Sequence, residues 1–142
     1  MSSVSKHDEM SIEEKLLRFS RTVAVVGLSA KSDRPSHRVA SYLQGKGYKI
    51  IPVNPLENEI LGQPCYPDLV SIPEPVDVVD IFRRSDDVLL IVEEAIKIGA
   101  KAVWLQEGII NEQAAARARE AGLMVVMDKC MLKEHQKLMK RS

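Results

Sequence analysis

Thr22-Val23-Ala24-Val25-Val26-Gly27-Leu28-Ser29 is the stretch on which the fold turns. Val23–Val26 is a continuous apolar run, rich in β-branched residues and too short for a typical helix. A strand with one wet face would alternate apolar with polar. An unbroken run closed by Gly27 instead predicts a strand buried on both faces, as in parallel sheets.

Outward from this strand the same grammar repeats. Ser29–Arg34 is polar and reads as a loop, and Pro35 suits the first turn of a helix. The stripe Val39, Ala40, Tyr42, Leu43 continues that helix until Gly45 and Gly47 stop it. Further strands are expected at Tyr48–Val53, Asp77–Phe82, Ala102–Leu105 and Leu123–Met127. Ser85 and Asn111 are expected to cap the helices between the later strands, and Met131–Lys140 reads as a terminal helix. Ser11 with Glu14 forms a capping-box signature before a short helix carrying Leu16, Leu17 and Phe19. Ile60–Pro67 reads as a loop or minor extended piece, and Asp68–Ile72 as one helical turn.

Strands alternating with helices over short loops predict an α/β fold. The expected architecture is a Rossmann-like, doubly wound, parallel five-stranded sheet in the order 3-2-1-4-5, with helices on both faces. Residues 1–10 read as a flexible tail and 11–142 as a single domain, in keeping with a chain of 142 residues.

Composition narrows the function. Lys and Arg number 20, matched by 20 Asp and Glu, so a generally basic nucleic-acid binder and a polybasic membrane binder are excluded. Aromatics at 4% disfavour a base-stacking surface. Two cysteines, Cys65 and Cys130, make neither a disulfide scaffold nor, without a nearby His pair, a zinc site. No apolar run approaches the ~20 residues of a membrane span. The polar first ten residues lack the apolar heart of a signal peptide, so the cytosol is the expected location.

In an open parallel sheet, ligands bind beyond the carboxyl ends of the strands. The loops expected there begin at Gly27, Asn54, Phe82, Gln106 and Asp128. Gly27 lets the backbone approach a ligand, and the helix start after it favours phosphate; alternatively it merely makes a turn. A Gly-x-Gly-x-x-Gly fingerprint is absent, because the run is Gly27-Leu28-Ser29-Ala30-Lys31-Ser32. Val53-Asn54 stands where a dinucleotide site wants an acidic residue for the ribose. Both departures argue against NAD. Lys31, Arg34, His37 and Arg38 crowd a helix start whose dipole they oppose, which favours a visiting anion over a merely solvated face. Arg83 and Arg84 add charge after the third strand.

Signals for catalysis are weak. No Ser sits in a Gly-x-Ser-x-Gly elbow. Glu134-His135 lacks the second His of a metal motif and reads as a surface pair. Asp77, Asp80 and Asp128 read as hydrogen-bonded structural carboxylates. Cys130 at a strand end reads as a buried small apolar residue rather than a nucleophile, although it lies on the expected ligand edge. Glu107 is the carboxylate nearest the far end of that edge.

Six segments in order resemble one known family. They are Val23-Ala24-Val25-Val26-Gly27-Leu28-Ser29 with Arg34-Pro35-Ser36; Ile51-Pro52-Val53-Asn54-Pro55; Leu61-Gly62; Asp77-Val78-Val79-Asp80-Ile81-Phe82-Arg83; Ala102-Val103-Trp104-Leu105-Gln106 with Gly108; and Val125-Val126-Met127-Asp128-Lys129-Cys130. Together they resemble the small CoA-binding proteins related to the CoA-binding domain of the succinyl-CoA synthetase α subunit, over about Ser11 to His135. Lys129 departs slightly, standing where Arg is commoner.

The resemblance implies a module that binds coenzyme A or an acyl-CoA. Gly27, Leu28, Ser29 and Ala30 would face the pyrophosphate, and Arg34 would meet phosphate. Pro52, Val53 and Asn54 would lie along the nucleotide. Ile81, Phe82 and Arg83 would border the adenine and its ribose phosphate, and Gln106 and Gly108 the pantetheine side. The synthetase's phosphohistidine domain has no counterpart expected here, so the resemblance implies a non-catalytic binding module and not a ligase, and the Cys and His residues give no expected metal site. Two other readings stay open: an NAD(P)-dependent oxidoreductase-like enzyme, and a regulatory subunit whose pocket takes another protein.

Overall fold

The computed structural model describes residues 10–141; the tail expected at residues 1–10 lies outside this range but for Met10. A parallel sheet is built from β1 (Thr22–Val26), β2 (Lys49–Val53), β5 (Val78–Ile81), β6 (Ala102–Leu105) and β7 (Met124–Val126). Between β2 and β5, β3 (Glu59–Ile60) and β4 (Gln63–Pro64) form a small antiparallel hairpin, followed by a single 3-10 turn at Leu69–Ser71 that Asp68 caps through Ser71 N–H.

The helices divide between the faces. On one lie α1 (Ile12–Phe19), α2 (Pro35–Gly45) and α5 (Met131–Arg141). Leu16, Leu17, Val39, Leu43, Met131 and Leu138 from these helices pack on Val23, Val25, Val78 and Trp104 of the strands. On the other lie α3 (Val88–Lys97) and α4 (Glu112–Glu120). Val88, Val92, Ala114 and Ala118 there cover Ala24, Val79, Val103 and Val125. Successive strand residues feed opposite cores, which is why the strands carry no polar alternation. The architecture is α/β and Rossmann-like, as expected.

The strand order differs from expectation in one place. It is β2-β1-β5-β6-β7, so the third long strand lies beside β1 and not beyond β2. Pro52 gives the physical reason. A proline has no N–H for a ladder and belongs on an edge strand, whereas the order 3-2-1-4-5 would bury the second strand between two neighbours. Val53 O accepts from Gly27 N on the inner side. Pro52 O accepts from Tyr66 N on the outer side, so the missing donor falls on the open edge.

Capping follows the sequence at two helices and departs at one. Ser11 Oγ accepts from Glu14 N–H at 3.1 Å, and Asn111 Oδ1 accepts from Ala114 N–H at 2.9 Å. Ser85 instead opens a 3-10 turn, Ser85–Asp87, ahead of α3. Its hydroxyl accepts from Ile110 N–H at 3.2 Å, and its carbonyl accepts from Asn111 Nδ2 at 2.9 Å. The residue spent as a cap in the sequence reading thus ties the loop after β6 to the loop after β5. No helix of the described residues is long and apolar enough to cross a membrane.

Candidate functional site

With this strand order, the chain reverses direction across the sheet between β1 and β5. The carboxyl ends of these two strands therefore define the crevice where an open α/β sheet takes ligands. Gly27 ends β1 with φ +86°, a left-handed conformation. A Cβ there would stand 2.5 Å from Phe82 O, so the loop after β5 presses against it. Gly27 is bare because its own chain approaches it.

Two hollows flank this contact, and Arg83 lines both. The larger, about 670 Å³, opens between α2 and α5 and is lined by Pro35, Arg38, Phe82, Gln106, Ile109 and Cys130, with Arg84, Glu107 and Lys133 among its other walls. The smaller, about 240 Å³, lies on the α3 side against Val26, Val53, Pro55, Leu69, Leu90 and Ile91. A further hollow of about 410 Å³ between α1, α5 and the turn after α2 sits away from the strands' carboxyl ends.

The residues singled out in the sequence divide between these places. Phe82, Arg83 and Gln106 reach the larger hollow, and Val53 the smaller. Leu28, Pro52 and Ile81 carry buried side chains, with Leu28 and Ile81 wholly so. Asn54 is a fastener: its Nδ2 donates to Leu28 O at 3.0 Å and its Oδ1 accepts from Leu56 N–H at 2.8 Å, holding the first two loops together. Ser29 N–H donates to Ser36 Oγ and Ser29 Oγ accepts from Lys31 N–H, which fixes the loop that carries exposed Ala30. Arg34 occupies the N-cap of α2 without a side-chain cap bond, and Arg38, one turn on, supplies the wall of the hollow. Gly108 stands outside the walls, its N–H tied to Asp128 Oδ1 at 2.7 Å.

Gln106 is the most informative polar group. It is 4% exposed, and its Oε1 accepts from Met131 N–H at 3.2 Å, which orients the amide. Its Nε2 has no protein acceptor among the described residues and lines the larger hollow. The residue is buried but this donor keeps access to the hollow, so it is free for an acceptor that arrives there.

The cations there are incompletely matched. Arg83 meets Asp87 at 3.2 Å and Arg84 the same carboxylate at 3.8 Å, so one acid serves two guanidiniums. Arg38 donates to Asp33 O at 2.9 Å, a neutral acceptor. The start of α2 has no acidic residue in its first turn. Glu107 sits at the rim and pairs with Lys133 at 2.9 Å. Among the described residues no three metal-ligating side chains gather. Ile109, Leu132 and Lys133 line the hollow without having stood out in the sequence; they follow the Gln106 and Cys130 segments by two or three residues, and that adjacency was the available signal.

Asp80 corrects the expectation of a hydrogen-bonded carboxylate. Its side chain is fully buried and neither oxygen has a partner among the described residues. It stands in β5 between Val25 and Trp104 of the adjoining strands, and burial pushes its pKa well above the ordinary range. Asp77, three residues earlier, fits the expectation, accepting from Arg21 and Thr22 N–H and pairing with Lys101.

Comparison with known proteins is consistent with this geometry. Residues 21–136 match the family described as CoA binding domain. The uncharacterized protein YneT of Bacillus subtilis is 41% identical over 122 residues, 86% of this chain and 90% of that one. A solved structure of a hypothetical protein from Pyrococcus horikoshii superposes with a TM-score of 0.88 at 38% identity, covering 98% of this chain and 99% of that one. The ADP-forming acetate–CoA ligase I of Archaeoglobus fulgidus is 28% identical over 125 residues; they are 81% of this chain but 18% of the ligase, so the likeness spans under a fifth of that relative.

Proposed function

The chain belongs to the CoA-binding domain family, and from that premise we propose that it binds coenzyme A or an acyl-CoA across the β1–β5 crevice, without turning it over. The observation that carries this reading is Arg83 standing in the walls of two hollows, a smaller apolar groove and a larger one lined by Gln106, whose Nε2 has no protein acceptor among the described residues.

Coenzyme A has matching parts. Its adenine suits the groove of Val53, Pro55, Leu69 and Ile91. Its phosphates suit the start of α2, where exposed Ala30 and Arg38 meet the helix's positive end. Arg83 and Arg84, sharing one carboxylate, have charge to spare for the ribose phosphate. The pantetheine arm carries two amide carbonyls, which are acceptors for Gln106 Nε2. Gly27, Leu28, Asn54 and Ser29 shape the loop under the ligand more than they touch it.

A binding role without turnover is supported by the state of Glu107, the carboxylate nearest the hollow, which is engaged by Lys133. Incubation with several acyl-CoAs, following free thiol, tests this part: release above background that disappears in Glu107→Gln overturns it.

The binding itself is tested by titrating coenzyme A, dephospho-CoA and NADP. Coenzyme A is expected to bind about ten-fold or more tightly than dephospho-CoA, because a charge-assisted contact to the ribose phosphate contributes roughly 1.5–3 kcal/mol. Equal affinities for these two remove the arginine assignment. Preferential binding of NADP transfers the protein to the oxidoreductase-like reading.

A further inference from the structure

We propose that Cys130 is a modification site, where one half of the symmetric CoA disulfide is captured as a mixed disulfide by thiol–disulfide exchange; this rests on the binding reading above.

Three observations converge on Cys130. Its side chain is half-buried and forms part of the wall of the larger hollow. The neighbouring Met131 N–H is the group that orients Gln106, so Gln106 and Cys130 are tied together in the wall of the same hollow. Cys130 also precedes α5, with its carbonyl accepting from Glu134 N–H, so the sulfur lies at the end of the helix where an anionic ligand is favoured. The donor points to a ligand independently of the cysteine. The arm of coenzyme A that carries acceptors for this amide is also the arm that ends in sulfur.

Cys65 provides a contrast inside the same chain. It is half-buried too, but its Sγ donates to Asn54 O at 3.4 Å and burial pushes its thiol up. It lines neither hollow of the crevice.

The exchange is balanced. Cys130 loses its proton to solvent, and the thiolate attacks one sulfur of the CoA disulfide. A Cys130–S–S–CoA bond forms as the CoA–S–S–CoA bond breaks, and the second CoA departs as a thiolate that takes up a proton. Cys130 is oxidised and the departing CoA is the reduced product, so no other oxidant is needed.

The test uses the fully reduced protein at neutral pH. It is exposed to CoA disulfide, to pantethine (the same arm without the nucleotide) and to oxidised glutathione, followed by intact mass and peptide mapping. Cys130 is expected to react at least about ten-fold faster with CoA disulfide than with the other two. An excess of adenosine 3′,5′-bisphosphate is expected to slow the CoA reaction alone, and the adduct is expected to vanish in Cys130→Ser. Equal rates for the three disulfides, or labelling of Cys65 as fast as Cys130, overturn the proposal. Reduced CoA is titrated into the wild-type protein alongside. If it binds while Cys130 shows no selectivity, this inference alone fails. If it does not bind, the functional reading fails and this inference with it.

Discussion

Where β5 begins, Asp77 accepts from the N–H groups of Arg21 and Thr22 at 2.8 and 3.1 Å and pairs with Lys101, and nearby Lys49 meets Glu74. Where β5 ends, Arg83 and Arg84 divide Asp87 between them, and Gln106, in the wall of the larger hollow, has no acceptor for its Nε2 among the described residues. The same strand thus starts in matched charge and finishes in unmatched charge. Matched groups hold structure together. Groups left unmatched in a folded protein are tolerated where something else completes them. The difference distinguishes the scaffold end of the sheet from the working end without reference to any ligand.

The sharpest way to break this distinction is Gly27→Val. The working end is fastened by backbone contact, not by charge, and the added side chain meets Phe82 O while φ stays at +86°. We expect a loss of about 3 kcal/mol or more in urea denaturation, from left-handed strain plus overpacking. An unchanged midpoint means that the two loops are not in contact.

Asp77→Ala probes the scaffold end. Two N–H groups and Lys101 lose their acceptor, at a cost of about 2 kcal/mol, while CoA affinity is unaffected. Although burial pushes Asp77 up, the two N–H groups and Lys101 outweigh it and hold the carboxyl below its ordinary value. Its contribution is therefore present at neutral pH and fades as pH falls below the ordinary carboxylate range. A stability loss that is the same at pH 3 and pH 7 contradicts this.

Asp80 reverses that sign. Burial holds it protonated above the ordinary value of 3.8, so in that window the native state binds a proton that the unfolded chain has released. Stability conferred by the neutral form is complete below the unfolded pKa and is lost as pH rises, by up to about 1.4 kcal/mol per unit. The difference between wild type and Asp80→Asn, from urea melts at pH 4 to 8, should shift in favour of Asn as pH rises. A constant difference shows that Asp80 ionises like an exposed carboxylate.

The smallest effect is expected at Arg84, whose side chain is 87% exposed. Arg84→Ala should leave the denaturation midpoint unchanged and weaken CoA binding by up to about five-fold at low salt, less at high salt. A shifted midpoint makes Arg84 part of the scaffold and blurs the comparison.

How much of this was legible depends on how local each cause is. The runs Val23–Val26 and Ala102–Leu105 announce buried parallel strands because burial on both faces leaves no polar position. Ser11 and Asn111 announce caps because their partners lie three residues away. Ser85 deceives because its partner, Ile110, lies 25 residues away. The neighbours of a strand are not written in its own residues, although Pro52 carried the one cue that its strand belongs on an edge. At the site, Arg83 and Gln106 were legible from their positions after strand ends. The orphaned state of Asp80 was not, since it is set by what Val25 and Trp104 exclude from either side.

The dressing of β2 has a consequence for self-association. An edge strand invites another chain to extend the sheet when it offers a row of free donors and acceptors. Along β2, Tyr66 N–H already donates to Pro52 O and the Tyr66 carbonyl accepts from Asn54 N–H, and Pro52 has no N–H to offer. The other margin, β7, is three residues long and lies against α1. Neither rim is a template for fibril-like growth while the fold is intact. Aggregation on heating should therefore await detachment of the segment around Tyr66.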